Sequence, residues 1–95
     1  MAETIWRLNP ACALAWRRWD DEWAVFDAGA GDTHQLDAVA AVMLMCFEAA
    51  PRSLEALGAE VAAELELPEG ELLATKLGEL VHYFVRLGLL EPTAS

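Results

Sequence analysis

Positive charge is scarce in this chain: six Lys and Arg stand against 16 Asp and Glu among 95 residues, for a formal net charge of -10. A field of that sign repels phosphate backbones, so a nucleic-acid partner is not expected. Cysteine is scarce too, and Cys12 and Cys46 lie too far apart for a disulfide framework or for zinc-type spacing with the two His residues. Both are read as reduced, buried thiols. No apolar run is long enough to span a bilayer, and acidic Glu3 stands where a signal peptide would carry its positive region. The expectation is a cytoplasmic protein with no membrane contact. Gly and Pro are few, whereas 56% of residues are hydrophobic and four are Trp, which excludes disorder and predicts one domain, 1–95, with a real core.

The chain changes texture at Leu36. Before it, Trp, Val, Phe and Thr occur in short runs broken by polar or glycine-rich turns, the pattern of strands at Leu14 to Trp19, Trp23 to Asp27 and Asp32 to Leu36. Apolar residues fall on both parities of the first hairpin, so spacing alone does not tell which face is buried. Beyond it, Ala, Leu and Glu dominate. Asp37 reads as the N-cap of a helix ending near Ala50, and Ser53 as the cap of a second over 54–65. Pro68 is expected in the first turn of a third, over about 69–87, stopped by Gly88 and Pro92. The fold class expected is α+β, a three-stranded antiparallel sheet followed by three helices.

Two helices have more apolar surface than one core contact needs. In the first, Val39, Met43, Cys46 and Phe47 form a stripe, while Leu44 and Met45 point off it and are expected at the surface. In the third, Leu73, Leu77, Leu80, Phe84 and Leu87 form the core stripe. Ala74, Gly78, Val81 and Val85 widen its arc sideways, and the polar side carries Lys76, Glu79, Tyr83 and Arg86. The widened arc predicts a strip beside the core that a partner could cover.

The order of elements, with Trp6-x-Leu8, Leu14-x-Trp16, the run Trp19 to Asp27 and the run Gly31 to Asp37, resembles the PqqD family. These are small peptide chaperones, also termed RiPP recognition elements, and the similarity is greatest to a branch associated with HPr-kinase-related proteins. The resemblance spans almost the whole chain and is carried mainly by the WDDEW and GDTHQLD stretches. It implies a winged-helix-like fold whose partner peptide adds as a strand beside the third strand and sits against the last helix. By position, the edge would be Asp32, Thr33, His34, Gln35 and Leu36, and the groove wall Gly78, Val81, His82 and Val85.

Catalytic and metal chemistry find little support. Asp20, Asp21 and Glu22 could chelate a hard cation but read more simply as a solvated turn. His34 and His82 lack a third ligand, and Cys46 on an apolar stripe behaves as a small hydrophobe. No phosphate loop, nucleophile elbow or dinucleotide fingerprint occurs. No cofactor and no catalytic residue are therefore expected. The Trp residues read as strand and core packing, not as base-stacking platforms.

The function expected is a non-catalytic chaperone that captures a precursor or partner peptide by strand addition and presents it to a modifying enzyme or an HPr-kinase-related protein. Two other readings compete. One is a structural subunit docking through Leu44 and Met45 on a kinase-like or transferase partner, or on a second copy as a homodimer. The other is a winged-helix DNA binder, for which the third helix has too many Glu beside Lys76 and Arg86.

Overall fold

The structure, a computed structural model, describes residues 4–20 and 22–93. It contains β1 (Ile5–Leu8), β2 (Leu14–Trp19), β3 (Glu22–Asp27), β4 (Asp32–Leu36), α1 (Ala38–Ala49), β5 (Arg52–Ser53), α2 (Leu54–Leu65), α3 (Glu71–Arg86) and β6 (Leu90–Pro92). The fold is α+β and winged-helix-like, with two antiparallel sheets ordered β2-β3-β4 and β5-β1-β6. The second sheet is absent from the sequence expectation. Its strands have two to four residues, and β1 finds its partners at Arg52–Ser53 and Leu90–Pro92. Arg7 and Glu91 face each other across β1 and β6 and form an ion pair at 2.7 Å. Among the described residues no helix is long and apolar enough to cross a membrane.

The β2-β3-β4 meander follows from its turns. Asp20 takes φ 55° between β2 and β3, a left-handed conformation that Asp tolerates. Asp21, the middle member of the acidic trio, lies outside the described residues. Between β3 and β4, Gly31 supplies φ 77° and its N–H donates to the Asp27 carbonyl at 2.7 Å. Gly29 answers a different demand, because a Cβ there would stand 2.4 Å from the Ala11 carbonyl oxygen.

Asp27 holds these segments together. Its Oδ1 accepts the Ala13 N–H at 3.2 Å and the Gly29 N–H at 2.9 Å, and the residue is 4% exposed. The bond from Ala13, foremost, lowers its pKa, with Gly29 adding to it and burial opposing. Asp37 is lowered as well: burial pushes it up, but the Ala40 N–H and Lys76 outweigh that. For carboxylates depressed in the folded state, the stability is present above their unfolded pKa of about 3.9 and is lost as pH falls through the folded value. We therefore expect urea midpoints that are flat from pH 7 to 5 and fall below about pH 4. Asp27→Asn keeps the Oδ1 acceptor without the charge and should flatten that fall; an unchanged acid profile in this variant would remove Asp27 from the account.

The helices begin as their caps dictate: the Asp37 side chain accepts from Ala40 N–H, and Ser53 from Ala56 N–H. Pro68 is not in the first turn of α3. It lies in the linker after α2, which ends at Glu66 with φ 53°, and Gly70 is the α3 N-cap, without a side-chain bond. The first helix stops at Ala49 and the third spans 71–86, each slightly shorter than expected.

Helix α1 is apolar nearly all round because it is the central element, touching α2, α3, β1, β3 and β4. Leu44 is accordingly fully buried (0%) and not a surface residue, and Met45 is half-buried. The docking surface expected from Leu44 does not exist. Val81 is likewise 1% exposed, in one core with Leu77, Phe84, Met43, Val25 and Leu90.

Candidate functional site

In the meander, β4 is an edge strand, hydrogen-bonded on one side to β3. The direction of its free groups follows from the ladder. Ala28 N–H donates to the Ala13 carbonyl on the β2 side, whereas the Asp27 carbonyl accepts on the β4 side. Successive residues of a strand send both main-chain groups to opposite sides. Ala24 and Phe26 therefore bond toward β2, and Trp23, Val25 and Asp27 toward β4. Their partners in register are Leu36, His34 and Asp32. Thr33 and Gln35 are left with N–H and C=O pointing away from the sheet. Both residues are exposed.

Register also settles which sheet face is covered. Val25, fully buried, stands opposite Trp16 and His34, so Leu14, Trp16, Trp23, Val25, His34 and Leu36 share the face toward α1. Trp16 donates from Nε1 to Glu48 of α1 at 2.6 Å and meets Trp23 edge-on, with centroids 6.0 Å apart. His34 is half-buried on this face, Leu36 is 8% exposed, and Asp32 is at the exposed start of the strand. The opposite face carries Ala24, Phe26, Thr33 and Gln35, with Phe26 42% exposed.

Helix α3 approaches the end of β4 through an ion pair, Lys76 Nζ to Asp37 Oδ2 at 3.0 Å. At ~100° per residue, Leu80 and Tyr83 share the Lys76 side of the helix. These three line a concavity of about 720 Å3 along α3, with Leu72 and Arg86 among its other residues. At the end of the strand, Trp23, Gln35, Leu36 and Asp37 line a second depression of about 310 Å3.

The groove wall expected on α3 is placed elsewhere. Val81 is core and offers no exposed face. Gly78, half-buried, His82, exposed, and Val85, 36% exposed, lie on the other flank or toward solvent. Ala74 marks that flank, because it lines a groove with Leu54 and Gly58 of α2, about 160° from Lys76. The structure thus brings Lys76 of α3 to the end of the Asp32 to Leu36 strand, through Asp37, and turns Gly78, His82 and Val85 to the other side of the helix. Sequence reasoning assigned Lys76 to the polar side of the helix and missed its contact with Asp37.

The edge offers donors and acceptors of main-chain hydrogen bonds, and the Lys76 ammonium stands at its end. No group of three or more His, Cys, Asp or Glu side chains able to hold a metal ion occurs among the described residues. Both cysteines are free thiols and half-buried. Burial, then the neighbouring Asp27 carboxylate, pushes Cys12 up to about 11, and burial raises Cys46 as well.

No family model and no curated protein matches the chain. Among solved structures it is similar to TbiB1 in complex with the TbiA(beta) leader peptide, with TM-score 0.70 and 21% identity, over 94% of this chain and 99% of that one. The likeness is one of fold.

Proposed function

We propose that the chain is a non-catalytic peptide-binding chaperone of the PqqD-like, RiPP-recognition type, which captures a precursor or partner peptide as a strand added to β4 and presents it to a modifying enzyme. The observation that carries the reading is the β4 edge, where Thr33 and Gln35 turn unpaired main-chain groups outward and Lys76 of α3 reaches the strand's end through Asp37. Main-chain pairing would supply affinity, and the α3 flank selectivity for alternate side chains of the peptide. The complex of TbiB1 with its leader peptide supports a leader-type ligand. The HPr-kinase-related branch supplies the enzyme class we favour as recipient, and the cytoplasm the compartment.

The test uses synthetic peptides covering the short reading frames beside the chain's own coding sequence, with amide exchange as the readout. A bound peptide should slow exchange at Thr33 and Gln35 and leave that of His34, already bonded to β3, little changed. Tight binding without protection at these amides would overturn strand addition. Failure of every peptide to bind would overturn the peptide-capture reading. With a binding peptide in hand, Tyr83→Ala should weaken it about ten-fold, as expected for an exposed aromatic anchor. Val85→Ala, on the other flank of α3, should leave binding unchanged.

A further inference from the structure

The groove between α2 and α3 is separate from the strand edge and differs from it in chemistry. It measures about 300 Å3 and is lined by Leu54, Leu73, Ala74 and Leu77, with Gly58 and Gly70 adding no side chain, and it carries the carboxylates of Glu55 and Glu69. That volume is at the lower limit of small-molecule sites, roughly 300–1,000 Å3, which suits one long side chain better than a cofactor. Among the described residues neither Glu55 nor Glu69 has a salt-bridge partner, whereas Glu60 on the same helix is paired with Arg52. An apolar trough with two unmatched carboxylates, in a chain of net charge -10, complements an alkyl stem ending in a cation. Leucine, by contrast, would leave the carboxylates unmatched, and an acidic side chain would be repelled.

We propose that this groove receives an arginine or lysine side chain of a partner protein, its stem against Leu54, Leu73 and Leu77 and its charge at Glu55 and Glu69. Ala74 and Tyr83 lie on opposite sides of α3, so the groove and the β4 edge can be occupied together. This is the arrangement a module needs if it holds a peptide on one side and a folded protein on the other. The proposal does not depend on what binds β4.

The test is an amide chemical-shift titration of the whole chain with Nα-acetyl-arginine N-methylamide, against the same compound built on citrulline, which keeps the shape and removes the charge. Shifts should centre on Gly58, Gly70 and Ala74, with the arginine compound about five-fold tighter and the difference lost at 1 M salt. Glu55→Gln with Glu69→Gln should erase the preference. Ala74→Trp, at an exposed position, should block both compounds without unfolding the chain. Equal binding of arginine and citrulline, shifts confined to other surfaces, binding that survives Ala74→Trp, or no shift at all would each overturn the proposal. None of these readouts involves Thr33 or Gln35, so the two sites fail or stand separately.

Discussion

Val81→Glu is expected to unfold the chain as completely as Leu77→Glu. Each native side chain is 1% exposed, and between them they meet the central helix and the Phe84 ring environment in one continuous core. Among the described residues no cation is buried that a carboxylate in that place could pair with. It must either stay charged at a cost of several kcal/mol or take up a proton, and either outcome consumes much of a stability of about 5–10 kcal/mol. Val81→Ala, which removes two methyl groups without adding charge, should cost about 2 kcal/mol and leave a folded protein. Val85→Glu, at a position 36% exposed on the same helix, should leave the thermal midpoint nearly unchanged. Circular dichroism melts of the four variants decide the matter. A folded Val81→Glu would mean that the side chain reaches water, and the α3 flank would again be open to a partner there.

The wide apolar arc of α3 thus has a packing explanation. The helix touches α1, α2 and β6, and Leu89 and Leu90 beyond its end are 1% and 2% exposed. One helix that covers several neighbours needs a broader stripe than one lying on a single surface. Periodicity gave the width of the arc. It could not say which part faces a neighbouring helix, because that depends on how the chain returns after Gly88.

Local chemistry made much of the fold legible. Asp37 and Ser53 cap as their side chains predict, and Pro51 and Gly88 fall just beyond helix ends. The three meander strands were readable from Trp, Val and Thr runs between Asp and Gly turns. What stayed hidden is non-local. Ile5 pairs with Ser53 and Trp6 with both Arg52 and Pro92, and strands so short carry no alternation pattern of their own. Leu44 was misplaced for a related reason: an amphipathic template assumes one covered face, and α1 is covered on nearly all sides. At the candidate site, the run Asp32 to Leu36 was readable as an edge, yet its outward parity required the Ala28 and Asp27 bonds. The approach of α3 to the end of that strand is a contact between Lys76 and Asp37, residues 39 apart in sequence.

That parity makes two proline substitutions behave oppositely. Thr33 turns its N–H away from the sheet, so Thr33→Pro removes no bond of the β3-β4 ladder, and an edge strand accommodates the proline φ near -65°. Its preceding residue, Asp32, is already extended, as a residue before proline must be. The pyrrolidine ring then occupies the space where an incoming strand would place its carbonyl. We expect Thr33→Pro to fold with a stability loss of at most about 1 kcal/mol and to lose peptide binding beyond detection. His34→Pro is the reverse case. It deletes the donor that pairs with Val25, leaves a carbonyl without its partner beside a fully buried side chain, and should cost about 1–3 kcal/mol before any steric strain is added. Thr33→Val, which keeps the N–H, should bind as the parent does. A thermal melt and a fluorescence titration of the Trp residues measure both properties on the same samples. If His34→Pro were the stable variant and Thr33→Pro the unfolded one, the ladder would run with the opposite parity. If both proteins folded and bound at the parental affinity, no strand is added at this edge, and recognition would have to come from the Lys76, Leu80 and Tyr83 flank of α3 alone.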